Sequence, residues 1–152
     1  MTATIAAAFI HHAAAFLIVA ALMVELVLLR NELTVASARS VLRMDMVYGL
    51  AALVLLVVGF VRVFHTEKGS AYYFDNGAFL VKLTLFIVVG LLSISPTIRF
   101  MSWRKALREG RVPDFDVGTR RKVRMLIHAE LTLLFIIMLL AVMMARGIWY
   151  FG

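Results

Sequence analysis

The apolar residues of the chain are gathered into four long blocks separated by polar connections. The blocks cover approximately residues 4–29, 44–64, 77–98 and 123–146. Each block is close to the roughly 20 residues that an α-helix needs to cross the hydrocarbon core of a bilayer. A helix of a soluble bundle carries a polar stripe on its solvent face, but residues 50–58 and 131–144 carry no charge on any face. The pattern predicts an all-α integral membrane four-helix bundle, folded as one domain over residues 1–152.

Composition supports this interpretation and excludes several kinds of site. The chain is 63% hydrophobic and only 16% charged, whereas soluble domains are about 25% charged. It has no cysteine, which excludes a disulfide framework, a thiolate metal site and a cysteine nucleophile. The net charge of +7 would suggest nucleic acid in a soluble protein, but the basic residues flank the apolar blocks. We therefore expect a lipid bilayer and no nucleic acid as the partner, and we expect the first block to be retained.

The distribution of basic residues orients the spans, because cytoplasmic connections carry an excess of Lys and Arg. The connections after the first and third spans together hold twelve basic residues. The second connection and the two termini hold only Arg62, Lys68 and Arg146. We therefore predict that both termini face outside, in an N-out/C-out arrangement.

Ionisable side chains inside the spans point to function, because placing each one in the bilayer costs about a few kcal/mol of free energy. His11 and His12 lie about seven residues into the first span, which places them roughly 10 Å below the outer edge. Lys82 follows Gly77 by five residues, so it lies about 7 Å below the same edge. These side chains therefore share one depth on two spans.

This outer set suits a metal centre held between spans, since imidazole and an unprotonated lysine amine both ligate metals. Haem is the cofactor that we expect, with Arg62 near the outer edge as a partner for a propionate. Neighbouring helical residues point about 100° apart, so only one of His11 and His12 can face the bundle centre. Two alternatives stay open: a histidine pair hydrogen-bonded between helices, and a Lys82 stem that snorkels to the outer surface.

The inner half of the spans is acidic instead. Glu25 lies near the inner end of the first span and Glu130 near the inner start of the fourth, while Asp45 and Tyr48 open the second. The two glutamates either form a proton relay or pair with arginines near the interface, and the ion pairs are the favoured interpretation. The arginines within reach are Arg30, Arg43 and Arg124.

The segment SerAlaTyrTyrPheAspAsn at 70–76, followed by ValLysLeuThrLeu at 81–85, resembles a run found in HemJ-type protoporphyrinogen IX oxidases. The resemblance covers roughly residues 8–146. Further matches lie in the first two spans: Ala8-Phe9 ahead of His11, Tyr48-Gly49, and Gly59. The chain is most similar to an uncharacterised bacterial four-span branch related to HemJ and to CopD-type membrane domains.

The resemblance implies a b-type haem ligated by His11 and Lys82. It also implies oxidation of protoporphyrinogen IX to protoporphyrin IX in the bacterial inner membrane, with electrons passing to a quinone or another membrane carrier. The sites that we predict are metal ligands His11 and Lys82, cofactor contacts His11, Lys82, His12, Arg62 and Tyr48, and catalytic residues Lys82, Glu25 and Glu130. The chain departs from HemJ in the inner half of the first and third spans, where it has Glu25 and an apolar run at 91–96.

Two alternatives belong to other classes of protein. One is a non-enzymatic accessory subunit of a larger membrane complex, or a homo-oligomer. The other is a small proton-coupled exporter that uses Glu25. Small multidrug exporters insert in both orientations and need balanced connection charges, so the bias of twelve basic residues against three disfavours that alternative.

Overall fold

The structure is a computed structural model that describes residues 2–66 and 70–151, and the described part is helical with no strand. In chain order the helices are α1 (Thr2–Leu28), α2 (Val35–Val61), α3 (Ser70–Phe74), α4 (Gly77–Ser102), α5 (Arg104–Arg108) and α6 (Val117–Ala145). α2 continues into a π-helical turn, Arg62–Thr66. Helices α1, α2, α4 and α6 are each long and apolar enough to cross a membrane. The predicted all-α bundle of four membrane-compatible helices is confirmed.

Two of the long helices begin earlier than the apolar blocks indicate, because capping residues set their first turns. α2 starts after Thr34, whose hydroxyl accepts a hydrogen bond from the Ser37 N–H at 3.1 Å. The Thr34 N–H donates in return to the Ser37 hydroxyl at 2.9 Å, which completes a capping box. α6 starts after Asp116, whose carboxylate accepts from the Thr119 N–H at 2.9 Å. Hydropathy therefore locates the spans, whereas these polar residues locate the helix starts.

The long helices form two closely packed pairs. α1 packs along α2 and α4 packs along α6, while the contacts between the pairs are sparse. α1 and α4 lie diagonally opposite, and their backbones do not approach each other closely within the described residues. Aliphatic and aromatic side chains, Phe100 among them, fill the core, whereas other large apolar side chains such as Phe16 and Phe135 are exposed on the outside. A surface of this kind is suited to lipid rather than to water.

The bundle has two chemically different ends. The α1–α2 connection and the segment from α5 to the start of α6 lie at one end, which we call the basic end. The N-terminus, the α2–α4 connection and the C-terminal segment lie at the other, which we call the terminal end. There the Gly77 N–H donates to the Trp149 carbonyl at 3.0 Å and the Phe151 N–H donates to the Asp75 carbonyl at 3.0 Å. Lys68, one of the three basic residues predicted outside, lies beyond the described residues.

Candidate functional site

His11 lies on the inward side of α1, with its half-buried ring against α2. The contact on α2 is Gly59, where an added Cβ would lie 3.3 Å from His11 Cε1 and 3.6 Å from His11 Nδ1. Within the described residues, the buried Nδ1 of His11 has no hydrogen-bond partner, while the ring also faces the Leu55 backbone carbonyl on α2. His11 therefore offers a buried ring nitrogen to a ligand, and the glycine leaves room for that ring.

His12 has different surroundings although it is the next residue. Its side chain is exposed on the outside of α1, and its Nδ1 donates to the Ala8 carbonyl at 2.6 Å. The two imidazole planes are almost perpendicular, at 84°, with centroids 6.0 Å apart. Since the His12 ring is satisfied on its own helix, His11 is the histidine that faces other functional groups.

Lys82 extends from α4 toward α6 at a similar depth. Its amine nitrogen lies 3.9 Å from the Met144 sulfur and 5.2 Å from the centroid of the Phe79 ring. The structure shows no ion pair between Lys82 and a carboxylate of the described residues. Arg62 is close enough to act electrostatically on both Lys82 and His11, and Lys82 acts on His11 as well. We call His11, Gly59, Arg62 and Lys82 the His–Lys site.

A second group of polar side chains lies nearer the basic end. It consists of Glu25 on α1, Asp45 and Tyr48 on α2, and Glu130 on α6, and we call it the carboxyl cluster. All four side chains are buried, with exposed fractions of only 2% for Glu25 and 1% for Glu130. From α4, the Thr97 hydroxyl donates to an Asp45 carboxylate oxygen at 2.7 Å. Each of the four long helices therefore presents polar chemistry to this layer.

The carboxyl cluster is short of hydrogen-bond donors. Glu25 interacts electrostatically with Asp45 and Glu130, and the Tyr48 hydroxyl faces Glu130. Even so, one oxygen of Glu25 is buried with no hydrogen bond to a described residue, and among the described residues the Tyr48 hydroxyl is the donor that faces Glu130. An ionised carboxylate in this position is costly unless a cation compensates it. The arrangement therefore suits groups that bind and release a proton.

The ion pairs expected for Glu25 and Glu130 are not formed among the described residues. Arg30 and Arg43 are exposed at the basic end, whereas the two glutamates point into the bundle. The expectation was wrong because nearness along a helix does not place two side chains on the same face of that helix.

The comparison with known proteins identifies a family for nearly the whole chain. A family model described as "Predicted membrane protein (DUF2214)" matches residues 3–149. The chain belongs to the DUF2214 family. No curated protein and no solved structure matches it, so the likeness to HemJ and CopD stays a prediction. The family description and the four apolar helices agree that this DUF2214 protein is a multi-pass membrane protein.

The structure separates Tyr48 from the other predicted cofactor contacts of this DUF2214 protein. Tyr48 precedes Gly59 by eleven residues on α2, a displacement of about 16 Å along the helix. It faces Glu130 and Ser93 instead of His11. Tyr48 therefore belongs to the carboxyl cluster, and the predicted residues that do converge are His11, Arg62 and Lys82.

Sequence reasoning missed the polar contribution of α4 in the DUF2214 chain. The run at 91–96 was interpreted as apolar, yet Ser93 faces Tyr48 and Thr97 binds Asp45. The signal was present in the spacing, because residues four apart lie on one face of a helix. Two hydroxyls at that spacing within an apolar span indicate a polar inward face.

Proposed function

We propose that this membrane protein binds one b-type haem at the His–Lys site and functions as an oxidoreductase of the bacterial inner membrane. The observation that carries the proposal is the state of His11. Its half-buried ring has an Nδ1 without a hydrogen-bond partner among the described residues, and it packs on a glycine at the interface with α2. Buried polar atoms are normally satisfied, so a free imidazole nitrogen in this place favours a ligand.

The other residues of the His–Lys site fit the same group. Lys82 stands on α4, diagonally across the bundle from α1, and its amine contacts a thioether and an aromatic ring in place of a carboxylate. The sparse packing between the two helix pairs favours a guest between them. His11 and Lys82 are the residues that would ligate the iron, and Arg62 would pair with a propionate. No three His, Cys, Asp or Glu side chains within the described ranges could hold a bare metal ion, and an imidazole–amine pair is a different kind of ligand set.

The substrate that we propose follows from the resemblance to HemJ. Protoporphyrinogen IX would lose six electrons and six protons to become protoporphyrin IX, and three membrane quinones would each take up two of both. Bound haem b would supply reversible one-electron transfer. The chain itself would contribute the ligands His11 and Lys82, a cation beside them at Arg62, and an apolar bundle that excludes water.

A visible absorption spectrum of the purified protein tests this proposal. We expect a Soret band, and the sharp bands of a b-type cytochrome after reduction with dithionite. Protein from a host with limited haem synthesis should acquire the same bands on addition of hemin. A folded, helical protein that shows neither the native nor the reconstituted bands would overturn the proposal.

The carboxyl cluster gives Glu25 and Glu130 a proposed role in proton exchange. Both side chains are almost fully buried, and one oxygen of Glu25 has no donor among the described residues, so each group is suited to take up a proton that the redox reaction moves. Glu25→Gln and Glu130→Gln keep side-chain size and remove the acid. We expect slower turnover in both variants with haem content unchanged, measured as porphyrin fluorescence appearing per haem. Equal loss of folded protein in both variants would instead show that the carboxyls are structural.

The same cluster favours a second candidate, a small proton-coupled exporter that uses Glu25. Its specific support is the burial of Glu25 without an arginine partner among the described residues. Efflux of ethidium from loaded cells distinguishes the candidates. Efflux that needs the protein and is lost in Glu25→Gln, in a protein without haem bands, would replace the oxidoreductase proposal.

A further inference from the structure

A cavity of about 470 Å³ opens at the basic end, between the first turns of α2 and helix α5. Its lining consists of three arginines and two leucines: Arg39, Arg104, Arg108, Leu42 and Leu107. Ligand pockets commonly have volumes of about 300–1,000 Å³. No carboxylate is part of the lining, so the cavity places uncompensated positive charge beside apolar side chains.

One of the three arginines, Arg39, is held in place by the local fold. Arg39 donates from Nη2 to the Leu107 carbonyl at 3.0 Å, which ties α2 to α5. Arg104 and Arg108 are four residues apart on α5, so they project from the same face of that helix. Within the described ranges none of these three side chains forms an ion pair. Three guanidinium groups therefore converge without the anions that would neutralise them.

Phosphate is the anion that such a group of arginines recognises best, because the planar guanidinium donates two parallel hydrogen bonds to it. Leu42 lies about one helical turn further into α2 than Arg39, toward the apolar part of the span. A ligand filling the cavity therefore meets arginines and also leucines, of which Leu42 leads toward the bilayer. This combination fits a phosphate that carries an acyl-glycerol tail.

We propose that Arg39, Arg104 and Arg108 hold the phosphate of an anionic phospholipid at the basic end of the bundle. Basic cavities between membrane helices on the cytoplasmic side are suited to such headgroups. Inorganic phosphate shares the recognised group but has nothing to place against Leu42 and Leu107. The inference is independent of the haem proposal, since the cavity shares no residue with the His–Lys site.

Thermal unfolding of the purified protein in a neutral detergent tests the proposal. Phosphatidylglycerol, added in mixed micelles with the detergent, should raise the unfolding midpoint in a saturable way, because a ligand that binds only the folded state stabilises it. Phosphatidylcholine at the same concentration and inorganic phosphate at the same phosphate concentration should produce at most a small shift. An equal shift with inorganic phosphate would overturn the assignment to a lipid.

A matched pair of double variants separates this cavity from general attraction to a basic surface. Arg104→Gln/Arg108→Gln removes two cavity charges and leaves the Arg39 contact to Leu107 intact. Arg121→Gln/Lys122→Gln removes the same charge from exposed positions on the first turns of α6. We expect the first pair of changes to weaken the apparent affinity for phosphatidylglycerol about tenfold or more, since hydrogen bonds to charged groups contribute strongly to binding. The affinity is read from the lipid concentration that gives half of the midpoint shift. The second pair should change it by about twofold or less, and equal weakening in both would overturn the proposal.

Discussion

His11 and His12 show how one residue of displacement on a helix decides the chemistry of a side chain. The roughly 100° rotation between them turns His12 outward, where its ring bonds to the Ala8 carbonyl of its own helix. The same rotation turns His11 onto Gly59 and within electrostatic reach of Arg62 and Lys82. The position of the ring, and not the residue type, therefore makes His11 the candidate ligand.

We predict that His11→Ala abolishes haem retention, because it removes the inward-facing imidazole. Lys82→Ala should keep some haem but leave the iron five-coordinate, with a shifted Soret band, because one axial ligand is gone. His12→Ala is the matched control and should leave the spectrum unchanged. The measurement is the ratio of Soret absorbance to protein absorbance in purified samples. Unchanged spectra in both His11→Ala and Lys82→Ala would refute the ligand assignment.

Depth along the spans could be predicted from the sequence, whereas the direction of each side chain could not. A helix rises by about 1.5 Å per residue, so counting placed His11 and Lys82 in one layer and Glu25 and Glu130 in another. The partner of Glu130 depended on the rotation and pairing of helices that are distant in sequence. Tyr48 and Thr97 reach the carboxyl cluster only because α2 and α4 turn these faces inward, and an almost uniformly apolar span carries little information about that rotation.

At the scale of elements, the two ends of the bundle are held by different interactions. At the terminal end, the C-terminal segment folds back on the start of α4 and the preceding connection. The Tyr72 hydroxyl donates to the Met144 carbonyl at 2.9 Å, and the Tyr72 and Tyr150 rings stack with centroids 5.0 Å apart. The AlaTyrTyr segment lies within α3, and its Tyr72 therefore ties α3 to the end of α6, beside the residues that surround Lys82.

This junction depends on the absence of a side chain at Gly77. An added Cβ would lie 2.8 Å from the Trp149 ring, which is too close for a real contact. We predict that Gly77→Ala displaces the C-terminal segment and destabilises the protein by about 1–3 kcal/mol, the usual cost of overpacking. Thermal unfolding in detergent measures the effect. Gly90→Ala is the control on the same helix, because a Cβ there meets nothing within 4 Å, and equal destabilisation by both changes would contradict the explanation.

The start of α6 carries a pH-dependent cap. Hydrogen bonds from Thr119 hold the pKa of Asp116 below its usual range. A lowered pKa in the folded state means stabilisation that is present above the usual carboxylate range and is lost as the pH falls through the lowered value. We predict that Asp116→Asn, which keeps a capping acceptor, reduces this acid-induced loss of stability. The unfolding midpoint followed from neutral to acidic pH should fall less steeply than in the Asp114→Asn control, and parallel curves would exclude a role for the cap.

For the whole molecule, the four long helices form two closely packed pairs with sparse backbone contacts between the pairs. The His–Lys site draws His11 and Arg62 from the first pair and Lys82 from the second, and the carboxyl cluster likewise draws on both pairs. The four-span architecture could be predicted because each block is long and apolar. The division into pairs could not be, because it depends on which spans share complementary surfaces.

The orientation of the whole bundle is the last prediction, and it follows from the charge at its two ends. The basic end collects the connections that hold twelve Lys and Arg residues, whereas the second connection and the two termini hold three, so we expect the basic end to face the cytoplasm. A phosphatase–β-galactosidase reporter inserted at Gly110 should show β-galactosidase activity, and one at Ser70 should show phosphatase activity. Exchanging the four basic residues at 104–111 for Gln should weaken this preference, because the unequal distribution of Lys and Arg sets the orientation. Phosphatase activity at Gly110 in the unmodified chain would show that the protein has the opposite orientation. The arginine-lined cavity would then lie at the outer leaflet.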